Sequence, residues 1–124
     1  MKTAKDYMDE ANAVVPKMTP EEGIAKHGSD AVFIDVRDSA AIAASGTIAG
    51  AERIARGMME FTADPAMPFY NDKLTKDAEL ILICGAGGQA ALAGKTLMDM
   101  GYTNVSNVGG FKAWKDAGGP VEEG

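Results

Sequence analysis

The sequence predicts an α/β fold with a mainly parallel sheet and helices on both faces, and three features lead there. Ala31-Val32-Phe33-Ile34-Asp35-Val36 and Leu80-Ile81-Leu82-Ile83 are nearly continuous apolar runs of strand length. Such runs mark strands buried on both faces, as in a parallel sheet. The second run leads directly into a glycine cluster, Cys84-Gly85-Ala86-Gly87-Gly88, and then into a helical pattern. Strands alternating with helices build parallel sheets, and right-handed crossovers distribute the helices over both faces.

The elements can be justified in order. From Ala4 to Val15, Tyr7 or Met8, Ala11 and Val14 or Val15 share one face, which predicts an amphipathic helix that ends before Pro16. Thr19 is placed to cap a second helix, with Pro20 at its first position and Glu21 and Glu22 at its positive end. That helix stops at Gly28. After the first buried strand, Ser39 to Ser45 is a short Ala-rich helix. Ala51–Ala55 is a candidate strand and Gly57–Phe61 a turn of helix. Asp64 to Asp72 holds Pro65, Pro68 and Asn71 and reads as a loop. The helix after the glycine cluster places Ala90, Ala93, Leu97 and Met100 on one face and stops at Gly101. Asn104–Asn107 is a short strand, Phe111–Ala117 a last helix, and Glu122-Glu123 a solvated tail. No repeat or linker interrupts the chain, so residues 1–124 read as one domain whose first 15 residues form an extra N-terminal helix.

Composition narrows the function. The chain has 124 residues, 46% apolar and 24% charged, enough to bury a core without staples. Its net charge of −6 disfavours a nucleic-acid partner. One cysteine and one histidine leave too few ligands for a zinc site and no internal disulfide. The charged N-terminus has no apolar secretory core and no run is long enough to span a membrane, so the expected location is the cytoplasm. Glycine, at 15 residues, exceeds the usual share of about 7%.

The chemistry is expected at Cys84. Ligands of open α/β sheets bind beyond the carboxyl ends of the strands. Cys84 stands there, between a buried strand and a helix start, among glycines that let backbone N–H groups turn inward. Both that nest and the positive helix end favour thiolate over thiol, which predicts a reactive cysteine rather than inert packing.

These residues resemble a family. Asp35-Val36-Arg37, Gly46-Thr47-Ile48-Ala49-Gly50-Ala51, the strand–Cys84–glycine loop–helix unit, Gly101-Tyr102-Thr103-Asn104-Val105 and Gly109-Gly110-Phe111-Lys112-Ala113-Trp114 occur in register over about Met18 to Val121. Together they resemble a single-domain rhodanese, a sulfurtransferase. The resemblance implies a five-stranded mainly parallel sheet, with a first strand near Lys17 and Met18. It also implies that Cys84 takes the outer sulfur of a donor such as thiosulfate, becomes a persulfide and passes that sulfur to a thiol or cyanide, without metal or organic cofactor. Inward N–H groups from Gly85, Ala86, Gly87, Gly88 and Gln89 would stabilise the charged persulfide sulfur.

The sequence departs from the family where charge is expected. The family's loop usually carries Arg, often followed by Ser, at the positions of Gln89 and Ala90, and often a basic residue at Gly85. Loss of charge assistance costs about 1–2 kcal/mol, tenfold or more in rate, which predicts weak thiosulfate activity. A small persulfide, a polysulfide or a partner protein is then the expected donor. Thr47 stands where the family often has His. Arg56, in Arg56-Gly57-Met58-Met59-Glu60-Phe61, is either the cation that the loop lacks or a solvated surface arginine. Asp35 and Arg37 are pocket candidates whose bland reading is a structural ion pair. Met58, Met59 and Phe61 are candidates for an apolar pocket wall. His27 reads as a helix cap or a solvated side chain, and Trp114 with Phe111 as core.

Three functions compete. The first is a sulfurtransferase with Cys84 as nucleophile. The second is a non-catalytic or relay module that carries or senses sulfur and docks on a partner protein. The third, a phosphatase or arsenate reductase, requires a longer loop with an arginine clamp that this sequence lacks. The expected partners are a small sulfur donor and a thiol or protein acceptor, the latter presenting basic surface to this acidic chain. A monomer is the default.

Overall fold

The computed structural model describes residues 1–124. It begins with α1 (Ala4–Val14), closed by a capping box between Thr3 and Asp6. The chain then passes Pro16 and touches the sheet at Lys17 before entering α2 (Pro20–Lys26) through a second capping box, Thr19 with Glu22. Next come β1 (Val32–Asp35), α3 (Ser39–Ser45) capped by Asp38, β2 (Thr47–Ile48) and β3 (Glu52–Arg53). A 3-10 turn, Arg56–Met58, leads into α4 (Met59–Thr62). After a loop come β4 (Leu80–Cys84), α5 (Gly88–Asp99), β5 (Val105–Gly110), α6 (Phe111–Asp116) and β6 (Val121–Glu122).

The main sheet has the order β3-β1-β4-β5, all parallel. The alternation of side chains along β1 and β4 explains why both runs are apolar on both faces, with Asp35 at the end of β1 the one exception. Ile34, Leu80, Leu82 and Cys84 face a core shared with Met59, Ala90, Ala93 and Leu97 of α4 and α5. Phe33, Ile81 and Ile83 face the opposite core, with Phe111 and Trp114 of α6. Each fully buried Ile or Leu contributes about 1.5–3 kcal/mol relative to exposure. On α1 the buried residues are Ala11 and Val15; Tyr7, Met8 and Val14 are exposed.

Several expectations change. The main sheet has four strands, and the fifth position is a single parallel bridge, Lys17 to Asn107. Two hydrogen bonds make it, Asn107 N–H to the Pro16 carbonyl and Met18 N–H to the Asn107 carbonyl. Pro16 has no N–H and Thr19 already caps α2, so no longer strand fits between them. The third strand is shorter than Ala51–Ala55. β5 runs on to Gly110 rather than stopping at Asn107, because a bulge absorbs Val108 between Asn107, opposite Leu82, and Gly109, opposite Ile83.

The C-terminal segment is not a free tail. Val121 and Glu122 pair antiparallel with Ile48 and Thr47. The Trp114 indole N–H donates to the Pro120 carbonyl at 3.0 Å and turns the segment back. The Glu122 carboxylate accepts from the Gly50 N–H and from Arg53. The Gly50 N–H first, and then Arg53, hold its carboxyl below the usual 4.5 against the opposing effect of burial. No helix is long and apolar enough to cross a membrane.

Candidate active site

β4 delivers Cys84 to the carboxyl edge of the sheet, on the face packed against α5. The cysteine is 1% exposed. Its Sγ accepts from the Gly87 N–H at 2.9 Å. Gly87 has φ 96°, a conformation that a side chain would strain, and it ends the loop as the cap of α5. The N–H groups of Gly85, Ala86, Gly88 and Gln89 donate to no protein acceptor. The loop thus presents uncommitted donors at the positive end of a 12-residue helix, around a sulfur that already holds one of them.

Two supports hold the loop from β5. The Asn107 side chain donates to the Gly87 carbonyl at 3.0 Å and accepts from the Gly109 N–H at 2.8 Å. Gly110 lies so close to the Gly85 carbonyl that a Cβ there would collide with it. Asn107 is 5% exposed and was not anticipated from sequence. The available signal is an Asn two residues ahead of a Gly-Gly pair, able to fold its side chain onto the backbone two residues on.

The pocket candidates separate. Asp35 is fully buried and accepts from the Arg37 backbone N–H, the Arg37 guanidinium and the Thr47 hydroxyl. Arg37 also donates to Ser45 and the Gly46 carbonyl, and its guanidinium lies 4.8 Å from the Phe111 ring centroid. Their polar atoms are committed to one another and to the protein, and neither residue lines a cavity with the loop. Thr47 takes part in that network rather than facing Cys84.

Arg56 pairs with Glu60 at 3.1 Å and donates to the Thr96 hydroxyl at 3.0 Å. Burial works to raise the Glu60 carboxyl, but its own backbone N–H and Arg56 outweigh this and hold it below the usual value. The cavity that Arg56 lines, about 510 Å³ between α1 and α5, includes none of residues 84–89. Met59 is core, whereas Met58 and Phe61 are exposed. His27 caps α2, with Nε2 and the Ala49 carbonyl 2.8 Å apart, and Trp114 is fully buried.

A different cavity adjoins the loop. About 300 Å³ in size, it runs between Ala86, Gly87 and Gly88 on one side and Met8, Asn12 and Lys17 on the other. The Met8 thioether packs over Gly88, so α1 forms one wall. From sequence, α1 is only an extra helix and Lys17 only part of a first strand, with neither assigned to the site. Lys17 precedes the loop by more than sixty residues, and only the bridge to Asn107 brings it near. No three His, Cys, Asp or Glu side chains converge to hold a metal.

Comparison with known proteins places this geometry among relatives. The family described as rhodanese-like domain matches residues 19–117. Thiosulfate sulfurtransferase GlpE of Pseudomonas entomophila is 29% identical over 101 residues, 80% of this chain and 84% of that protein. The structure of RPA3614 from Rhodopseudomonas palustris, a protein of unknown function described as a possible tyrosine phosphatase, is 40% identical. It superposes with a TM-score of 0.92 over 98% of this chain and 96% of that one. The homodimeric polysulfide-sulfur transferase of Wolinella succinogenes is 26% identical, with a TM-score of 0.76 over 97% and 87%. Two longer curated relatives match over shorter stretches, and the matched stretches span 13% and 26% of their lengths.

Proposed function

The chain belongs to the rhodanese-like domain family, and on that premise we propose that it is a sulfurtransferase whose nucleophile is Cys84. The thiolate attacks the sulfane sulfur of a donor. A new S–S bond forms at Cys84, the donor's own S–S bond breaks, and the remainder leaves with the electron pair: sulfite from thiosulfate, a thiolate from a persulfide. The product is a Cys84 persulfide. An acceptor thiolate or cyanide then removes the outer sulfur and restores the Cys84 thiolate. The free N–H groups of Gly85, Ala86, Gly88 and Gln89 are suited to the charge on the outer sulfur, as oxyanion-hole donors are.

One observation carries this reading: the Cys84 sulfur already accepts one loop N–H, and the neighbouring four have no protein acceptor. The absence of a cation between Cys84 and Ala90 weighs against thiosulfate as the preferred donor and against the phosphoester chemistry suggested for RPA3614, because both bring a compact anion into the loop. The burial of Cys84, together with Gln89, favours the alternative, a sulfur carrier or sensor that opens on docking to a partner protein.

The test is intact mass after brief incubation with thiosulfate, glutathione persulfide or polysulfide, beside turnover of p-nitrophenyl phosphate. The wild type is expected to gain one sulfur and Cys84→Ser none, with the persulfide the better donor. Repeated turnover with a small thiol separates the enzyme from the carrier. Sulfur uptake by Cys84→Ser, or uptake by neither protein, overturns the assignment.

A further inference from the structure

We propose that Lys17 is the cation of the donor site, and that it selects sulfane-sulfur donors whose anionic group lies several bonds from the reacting sulfur. This rests on the sulfurtransferase reading and names its substrate class: the persulfide of a small thiol that carries a carboxylate.

The cations of the chain are nearly all committed. Of 12 Lys and Arg residues, nine pair with carboxylates and Lys76 donates to the Met100 carbonyl. Lys17 and Lys115 have no side-chain partner. Both are exposed, but Lys115, on α6, lines neither of the two cavities beside α1. Lys17 lines the 300 Å³ cavity whose opposite wall is Ala86, Gly87 and Gly88. The Asn12 amide lines it as well and makes no hydrogen bond within the protein. Charge, a neutral donor and the outer surface of the loop therefore surround one space, which is within the size range of small-ligand sites.

The position of the charge sets the choice of donor. In thiosulfate the sulfonate is bonded directly to the sulfane sulfur, so its charge must enter a loop that holds no cation. In a persulfide such as that of glutathione, the carboxylates extend away from the S–S bond. They can rest against Lys17 and Asn12 while the outer sulfur reaches Cys84 past Gly87, the residue that touches both the sulfur and the cavity. Arg56 does not compete for this role, since its cavity excludes the loop and its guanidinium is held by Glu60 and Thr96.

Two readouts test this separately from the chemistry. The first is binding. A Cys84→Ser protein titrated with S-methylglutathione is expected to show amide shifts at Ala86, Gly87, Gly88 and Lys17, with Kd raised roughly three- to tenfold by Lys17→Gln and restored by Lys17→Arg. The second is the ratio of kcat/KM for glutathione persulfide over that for the uncharged persulfide of 2-mercaptoethanol. It is expected to fall by a similar factor in Lys17→Gln, through KM, and to hold in Lys115→Gln. The proposal is overturned by a Kd indifferent to Lys17, or by an equal loss with both donors. If no donor loads Cys84 but binding still depends on Lys17, the sulfurtransferase reading fails and the anion site stands.

Discussion

Two neighbouring strands, β1 and β4, end at the same edge of the sheet in opposite chemical states. Both runs are apolar because both faces are covered, and both end at a residue suited to carry charge. At the end of β1, Asp35 and Arg37 meet, and Thr47, Ser45, Gly46 and Phe111 take up what remains of their bonding capacity. At the end of β4, the loop after Cys84 commits one N–H to the sulfur and leaves four without a protein acceptor. A charged pair with every partner inside the protein locks a strand end. A polarisable atom amid unused donors has binding capacity left for something else. The difference between structural and chemical residues here is one of satisfaction, since Asp35 and Cys84 are almost equally buried.

The contrast can be broken most severely at Asp35. Asp35→Ala leaves the Arg37 guanidinium buried without its carboxylate and is expected to cost about 3–5 kcal/mol, read as a drop in the urea midpoint. A loss below about 1 kcal/mol would mean that the network is not what holds this end of the sheet. The loop should respond differently. Gly87→Ala forces a side chain into φ 96° at a cost of about 1–2 kcal/mol and displaces the N–H on Cys84. Persulfide formation is expected to slow at least tenfold, in mass-uptake kinetics, while the protein stays folded; an unchanged rate would detach the Gly87 N–H from the chemistry.

The smallest effect belongs to the C-terminal clip. Glu122 has a carboxyl held below 4.5 by the Gly50 N–H and Arg53, so it adds stability above that value that is lost as pH falls through its folded pKa. Glu122→Gln should flatten the decline of Tm on going below pH 4.5, slightly, because the group is exposed. An unaltered slope would show that the clip is held by Trp114 and the β2–β6 pairing alone.

What was legible in the sequence depended on how local the physics is. Thr19 and Pro20 announced α2, Ser39–Ser45 announced α3, and the two apolar runs announced the central strands. In each case the signal lies within a turn or a strand of the residue it governs. The Asp35–Arg37 ion pair was legible for the same reason, two residues apart on one backbone. The ends of β3 and β5 are not legible locally, because Glu52–Arg53 pairs only where β1 offers a partner and because a bulge carries β5 past Asn107.

The amino-acid sequence by itself determined an α/β sheet with Cys84 at the end of a buried strand, ahead of a glycine loop and a helix. Periodicity, capping and the φ freedom of glycine are properties of adjacent residues. Only the tertiary structure decided which side chains surround that loop. Asn107 reaches Gly87 across twenty residues, and Lys17 meets Ala86 across a cavity walled by α1. Arg56, attractive in sequence, turns to Glu60 and Thr96 instead. Charge in a site is set by what converges in space, and convergence between distant segments follows from packing and strand order, which no local pattern encodes.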